Sequence, residues 1–200
     1  MPYNDIDWEK YCWAYLPTII TWITLAAFLA MPEYSVISAF SQSIILVLWT
    51  YWGHRAAHIV SGYPPFDTIN PHIFIHHNKS IILPRWLELL EEAIVNFFCF
   101  TFILILQAIF DVHIFSTSIV LGAAFLYITI HILDYSLRGN ESHGLHHSRT
   151  FCNYSPEFLD TLFETRCDSE KPYTDMSPEI IHALFAFGLA GLLKFTFKLD

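Results

Sequence analysis

The chain has 200 residues, of which 54% are hydrophobic and 14% charged, and its formal net charge is −9. By length it is expected to form one domain over residues 1–200, but it is too apolar for an ordinary soluble domain. The negative charge argues against nucleic-acid binding, because phosphate backbones require a basic surface.

Four long apolar runs follow one another along the chain. They cover residues 13–31, 35–52, 93–110 and 112–133, and none of them contains Asp, Glu, Lys or Arg. At the rise of an α-helix each run spans about 27–33 Å, which is close to the hydrocarbon thickness of a bilayer. The sequence therefore predicts an all-α integral membrane protein with four transmembrane helices.

Very short connectors pair these runs into two helical hairpins. Residues 32–34 join the first two runs and Asp111 joins the last two, and neither tip carries Lys or Arg. By the positive-inside rule, both tips are expected to face away from the cytoplasm. Since two crossings return the chain to its starting face, the segments after the second and fourth runs are predicted to meet on the cytoplasmic side.

Two further segments are apolar on part of their surface. Residues 84–93 are amphipathic and form either an interfacial helix or the first turns of the third run. Residues 180–197 are interrupted by His182 and Lys194. Crossing would place Lys194 and Lys198 on the side that the charge rule disfavours. We predict that this last segment lies along or partly in the cytoplasmic leaflet, with a membrane-spanning helix as the alternative.

Eight of the eleven histidines fall into three short motifs, here called boxes one, two and three. The boxes consist of His54 and His58, of His72, His76 and His77, and of His143, His146 and His147. Residues three or four apart share a helix face, so each box can direct two imidazoles at one point. Eight imidazole ligands exceed what one ion can hold, and the boxes therefore predict a two-metal centre.

The remaining histidines divide by position. His131 lies near the end of the fourth run, at the depth where the boxes are expected to converge. It is predicted to be a further ligand. His113 and His182 are isolated and are interpreted as packed or interfacial side chains.

Iron is the metal that fits this ligand set best. There is no cysteine-rich ligand set, and the zinc-protease motif H-E-x-x-H is absent, which disfavours a zinc or iron–sulfur site. Cys12 and Cys99 lie in or beside apolar runs, where membrane packing explains them. Non-haem iron carries O₂ and one-electron chemistry, which zinc cannot.

The boxes, their order and their placement around two hairpins resemble the fatty acid hydroxylase / sterol desaturase superfamily of membrane di-iron enzymes. Residues 51–58 and 72–77 are similar to its first and second boxes, although the second here has three residues before the histidine pair instead of two. Residues 143–165 look like the third box and its Asn-Tyr-Gly and Asp-x-Leu-Phe-Gly-Thr tail, with Ser155 and Glu164 at the two glycine positions. The resemblance covers residues 13–166.

The resemblance implies that two irons are held by His54, His58, His72, His76, His77, His131, His143, His146 and His147. The ligand rings need orienting partners, and the candidates are Asp134, Asn153 and Asp160, each of which could equally be a helix cap or a solvated loop residue. No catalytic residue is predicted beyond the ligands. The resemblance implies a monooxygenase of the endoplasmic reticulum membrane that hydroxylates a C–H bond of a fatty acyl chain, sphingoid base or sterol. Cytochrome b5 and its NAD(P)H-dependent reductase would supply the electrons.

Two alternatives remain open from the residues. A lipid or sterol desaturase would use the same di-iron site. A non-enzymatic membrane protein for metal binding or transport would need ionisable residues deep in the membrane, and the first two runs contain none.

Overall fold

A computed structural model describes residues 8–70, 72–78, 80, 82–167 and 177–200. Its elements confirm the predicted all-α class. The α-helices are α1 (Trp8–Ala30), α2 (Val36–Val60), α3 (Phe66–Ile69), α4 (Arg85–Phe110), α5 (Thr117–Ile130), α6 (Glu141–Ser148), α7 (Glu157–Leu162) and α8 (Ser177–Phe197). The described residues also contain two π-helical segments, here called the first π turn (His72–His76) and the second π turn (His131–Leu137).

Within the described residues, five helices are long and apolar enough to cross a membrane. They are α1, α2, α4, α5 with the second π turn, and α8. Large apolar side chains remain exposed on them; Ile37, Ile109 and Phe195 are 79%, 67% and 73% exposed. Exposed apolar surface on this scale is suited to lipid, so these helices indicate a membrane protein.

The ends of α4 and α5 differ from the predicted runs. Because α4 begins at Arg85, residues 84–93 are the first turns of the third long helix and not a separate interfacial helix. α5 begins only at Thr117. The side-chain oxygen of Gln107 accepts the backbone N–H groups of Ile114 at 2.9 Å and Phe115 at 2.5 Å, which satisfies this turn before the helix starts.

The described residues divide into two compact units. The first, here called the bundle unit, contains the described residues 8–47, 96–130 and 177–200. The second, here called the histidine unit, contains the described residues between 48 and 95 and residues 131–167. All three boxes and His131 belong to the histidine unit.

In the bundle unit, α8 packs along both α1 and α5. Lys194 donates to the carbonyl of Leu29 and to the carboxylate of Glu33, each at 2.7 Å. The main-chain oxygen of Asp200 accepts two hydrogen bonds from Ser118, one from the backbone N–H at 3.1 Å and one from the side-chain hydroxyl at 2.7 Å. The C-terminal end of α8 therefore lies beside both hairpin tips, an arrangement that favours a membrane helix over the predicted interfacial one.

An ion pair stabilises Lys194 in the position that the charge rule disfavours. Lys194 is buried, and its ammonium satisfies carbonyls at the C-terminal end of α1, where the helix dipole favours a cation. The hydrogen bond from Lys194 also lowers the pKa of Glu33. Lys194 is therefore stabilised by its partners in the position that the charge rule disfavours.

An aromatic cluster joins α2 to the loop around α7 in the histidine unit. The ring of Tyr51, which is fully buried, lies 5.3 Å from Trp52, 6.0 Å from Tyr154 and 5.0 Å from Phe163. Its hydroxyl lies 2.8 Å from the Thr165 hydroxyl. These contacts hold the segment after box three against the helix that carries box one.

Candidate metal centre

Helix α2 places box one in the interior of the histidine unit. His54 and His58 are one helical turn apart, and both are buried. Their Nε2 atoms are 3.3 Å apart. The i, i+4 spacing thus produces the shared direction that the sequence predicted.

Box two forms the first π turn, and this explains the extra residue in its spacing. The backbone N–H of His77 donates to the carbonyl of His72 at 3.1 Å, which is the i→i+5 bond of a π-helix. The wider turn brings residues four and five positions later to the same side, whereas an α-helix would carry His77 away from His72. The Nε2 atom of His72 then lies 3.2 Å from that of His58.

Box three is carried by the short helix α6. The Asn140 side chain caps this helix by accepting the backbone N–H of His143 at 3.0 Å. The cap fixes the first turn, from which His146 and His147 follow three and four residues later. The Nε2 atoms of His143 and His147 are 2.9 Å apart.

His131 is the first residue of the second π turn, directly after α5. Its buried ring lies 4.8 Å from the ring of His143 and 5.5 Å from that of His76. Single π-helical turns inside α-helices occur frequently at functional sites. The structure therefore places the predicted extra ligand beside boxes two and three.

The ring nitrogens converge in two groups, and within each group they all lie within 4.8 Å of one another. The five-histidine group contains His54, His58, His72, His77 and His146. The three-histidine group contains His76, His143 and His147. Together with His131, the structure brings together all nine predicted ligands. His113 is exposed in a connector and His182 lies on α8, both in the bundle unit.

The spacing of the nitrogens suits metal ions. With metal–nitrogen bonds of about 2.0–2.1 Å, adjacent ligands of a tetrahedral or octahedral ion lie about 2.8–3.4 Å apart. The three Nε2 pairs described above, at 3.3, 3.2 and 2.9 Å, fall in or near this range. The cluster can therefore hold metal ions.

Unsatisfied nitrogens support the same conclusion. Among the described residues, Nε2 of His76 and of His146 and both ring nitrogens of His77 are buried without a hydrogen-bond partner. Leaving a polar atom in that state costs about 1–3 kcal/mol. A metal ion at these lone pairs would remove the cost.

Burial keeps the imidazoles outside the long helices neutral. Desolvation is the largest cause that lowers the pKa of His72, His76, His77, His143 and His146. For the first four, the charges of neighbouring histidines lower the pKa further. Neutral imidazole is the form that binds metals, so the unit offers ligands without first releasing protons.

Backbone carbonyls orient two rings of the five-histidine group. The Nδ1 atom of His54 lies 2.5 Å from the carbonyl oxygen of Tyr154, and that of His146 lies 2.7 Å from the carbonyl oxygen of Cys152. Since a carbonyl can only accept, each Nδ1 carries the proton and each Nε2 presents a lone pair. This is the tautomer that a metal bound at Nε2 requires.

Asp160 holds the loop that supplies these carbonyls. Its buried carboxylate accepts the backbone N–H of Tyr154 at 2.8 Å, that of Ser155 at 2.6 Å and the hydroxyl of Thr165 at 2.7 Å. Burial raises the pKa of Asp160 to about 6, against the lowering effect of the three donors. The predicted orienting residue therefore acts on His54 through the carbonyl of Tyr154.

The other two predicted orienting residues have different contacts. The Asn153 amide donates to the carbonyl of Ser142 at 3.0 Å and accepts the backbone N–H of Cys167 at 3.0 Å. It thus ties the loop to α6. Asp134 lies 3.0 Å from the guanidinium of Arg138, one turn later. A direct effect of either residue on a ligand ring stays a prediction.

The two positions where the resembled family has glycine keep a backbone that favours glycine. Ser155 has φ of 62° and Glu164 has φ of 55°, both in the left-handed region. A side chain with a Cβ costs about 1–2 kcal/mol there. Both residues therefore hold the loop after box three in a conformation that glycine adopts at lower cost.

Replacing Glu164 by Gly is expected to raise the free energy of unfolding by about 0.5–1 kcal/mol, because the relieved strain exceeds the added entropy of the unfolded chain. Glu164 is exposed, so little packing is lost. Thermal unfolding of the detergent-purified protein measures the change. Glu164→Ala is the control; it keeps the Cβ and should leave stability nearly unchanged. An equal gain in both variants would contradict the role of backbone strain.

Tyr135 and Glu92 also border the histidines, and sequence reasoning did not identify them as part of the site. The ring of Tyr135 stacks on that of His143 at 4.8 Å, and its hydroxyl lies 2.7 Å from that of Ser155. Glu92 lies 3.5 Å from His76. In the sequence, Glu92 is one of several acidic residues on the polar face of residues 84–93, and the polar face of an amphipathic helix is usually exposed to solvent.

A disulfide between Cys152 and Cys167 closes the loop that follows box three. The cysteines are 15 residues apart and form no recognisable motif, so the sequence carried no signal for the bond. The bond joins the loop that follows box three to the residues that follow α7.

No protein-family model matches this chain, and neither a curated protein nor a solved structure matches it. The clustered histidines and apolar helices are compatible with the resemblance to the hydroxylase superfamily. The functional interpretation accordingly depends on the residues and geometry of this chain: an all-α protein with membrane-length helices and a histidine cluster able to hold metal.

Proposed function

We propose that this protein is a membrane di-iron oxygenase that hydroxylates a C–H bond of a lipid. The observation that carries the proposal is the meeting of nine histidines from three boxes and a π turn in one unit of an apolar helical chain. A structural metal site would need about four ligands. Nine histidines in two adjoining groups match two metal ions.

Iron is the proposed metal because imidazole ligands suit it and the reaction requires a redox-active ion. When bound, the two irons would supply O₂ activation and one-electron chemistry. The chain's own residues would bind the irons at Nε2, keep the rings neutral by burial, and fix the tautomers of His54 and His146 through loop carbonyls.

The proposed substrate is a fatty acyl chain, sphingoid base or sterol. The support is the extensive exposed apolar surface of the long helices, which suits a protein that meets its substrate in a bilayer. One oxygen atom of O₂ would enter the C–H bond and the other would leave as water, consuming two electrons and two protons. Cytochrome b5 and its NAD(P)H-dependent reductase are the proposed electron donors, in the endoplasmic reticulum membrane.

Untargeted lipid mass spectrometry tests the proposal in cells that express the protein with cytochrome b5, its reductase and sufficient iron. We expect a lipid that gains one oxygen atom with the native protein and not with the double variant His146→Ala, His147→Ala. The control variant is His113→Ala, which removes an exposed histidine of the bundle unit and should keep the product.

Other outcomes of the same experiment separate the alternatives. A lipid that loses two hydrogen atoms, again only with intact boxes, would identify a desaturase with the same site. Identical lipids in the native and double-variant cells would contradict an oxygenase. They would favour the metal-binding or transport alternative.

A further inference from the structure

Glu92 is a buried acid at the edge of the three-histidine group. It lies in the first turns of α4 and is 7% exposed. One carboxylate oxygen lies 3.5 Å from Nδ1 of His76, and the other accepts the Ser136 hydroxyl at 2.5 Å. The carboxylate therefore links α4 with both π turns, which carry His76 and Ser136.

The position of Glu92 defines how His76 can bind a metal. A carboxylate facing Nδ1 favours a proton on that nitrogen, which leaves the lone pair on Nε2. Nε2 of His76 is buried and has no hydrogen-bond partner among the described residues. His76 also belongs to the group whose ligand atoms converge with those of His143 and His147.

Nearby positive charge would stabilise a buried carboxylate at Glu92. A buried carboxylate is costly unless it is paired. Its two direct contacts are a neutral hydroxyl and the His76 ring. Arg85 is half exposed; it pairs with Glu88 at 3.0 Å and donates to the backbone carbonyl of Ser136, and its charge also acts on Glu92. A cation held at Nε2 of His76 would place positive charge on the far side of the ring from the carboxylate.

We propose that Glu92 is a positioning residue of the three-histidine group. It orients His76 and strengthens it as a metal ligand by accepting a hydrogen bond from the Nδ1–H group. Carboxylate–histidine–metal arrangements of this kind raise the basicity of the ligand and fix its tautomer. The inference rests on the metal centre of the proposed function. It does not depend on which lipid, if any, the centre oxidises.

The test is a cobalt(II) titration of the metal-free, detergent-purified full chain, followed by visible absorption. The native protein is expected to bind two equivalents. Glu92→Gln keeps the size of the side chain and removes its charge; it should weaken one equivalent by about 10- to 100-fold and alter the absorption band of that ion. The other equivalent, held by the five-histidine group, should bind as in the native protein.

Glu88→Gln is the matched control. Glu88 lies one turn earlier on the same helix, and its ion pair with Arg85 is exposed, so the same loss of charge should leave both equivalents unchanged. A fall in thermal stability without any change in the cobalt band would mark Glu92 as merely structural, which would overturn the proposal. Equal weakening of both equivalents, or native affinity in Glu92→Gln, would also overturn it.

The outcome separates this inference from the proposed function. A native protein that binds no cobalt would overturn both the role of Glu92 and the metal centre. Selective weakening in Glu92→Gln, combined with unchanged lipids in the cell experiment, would support the positioning role and contradict the oxygenase alone.

Discussion

Replacing His58 by Ala is expected to weaken iron binding in the five-histidine group and to abolish product formation. The Nε2 atom of His58 lies between those of His54 and His72, at 3.3 and 3.2 Å, so its loss removes the central ligand of the group. The expected fall in product is at least about 100-fold. Losing a residue that only hydrogen-bonds to a metal ligand already costs about 10- to 100-fold, and His58 is itself a proposed ligand.

Iron content per chain and lipid mass spectrometry together check this prediction. Iron should fall from two ions towards one, because the three-histidine group keeps its ligands. The control is again His113→Ala, which should retain both ions. Native iron content and native product in His58→Ala would contradict the assignment of the five-histidine group as a metal site.

Replacing Asp160 by Asn is expected to lower the free energy of unfolding by about 2–4 kcal/mol, because the substitution leaves buried donors unsatisfied. Three donors point at the two carboxylate oxygens, and an amide offers only one oxygen and presents N–H groups to the rest. Loosening the loop should also release the Tyr154 carbonyl from His54 and reduce iron occupancy. Thermal unfolding and iron analysis of the purified variant measure the two effects.

Asp134→Asn is the matched control for that substitution. Asp134 makes an i, i+4 ion pair with Arg138, whose side chain is 65% exposed, so its loss should cost less than about 1 kcal/mol. Iron occupancy should remain native, and a fall would indicate that Asp134 orients a ligand ring. Equal destabilisation by both variants would contradict the special role of Asp160 in the loop.

The long helices could be predicted from the sequence because their signal is local. An uncharged run of about 20 residues is long enough to cross a bilayer as a helix whatever its neighbours are. The same holds for boxes one and three, where the spacing of His54 and His58 already places both on one face of α2. α8 was harder, since Lys194 suggested a leaflet position until its partners, the Leu29 carbonyl and Glu33, were known.

Box two shows where spacing alone was insufficient. An α-helix would have separated His77 from His72, and only the i→i+5 bond of the first π turn brings His72, His76 and His77 together. The sequence contains no local signal for a π turn. Its stability depends on the contacts that surround it.

The sequence by itself therefore determined the all-α class, the apolar helices and the eight histidines of the three boxes, since these follow from composition and short spacings, while His131 followed from its position near the end of the fourth run. Only the tertiary structure decided how the nitrogens divide into two groups, and that Glu92 faces His76 while Asp160 acts through the Tyr154 carbonyl. These contacts join residues that are distant in the chain. The physical reason is that burial, pairing and carbonyl direction are set by the packing of several elements at once, which no single stretch of sequence encodes.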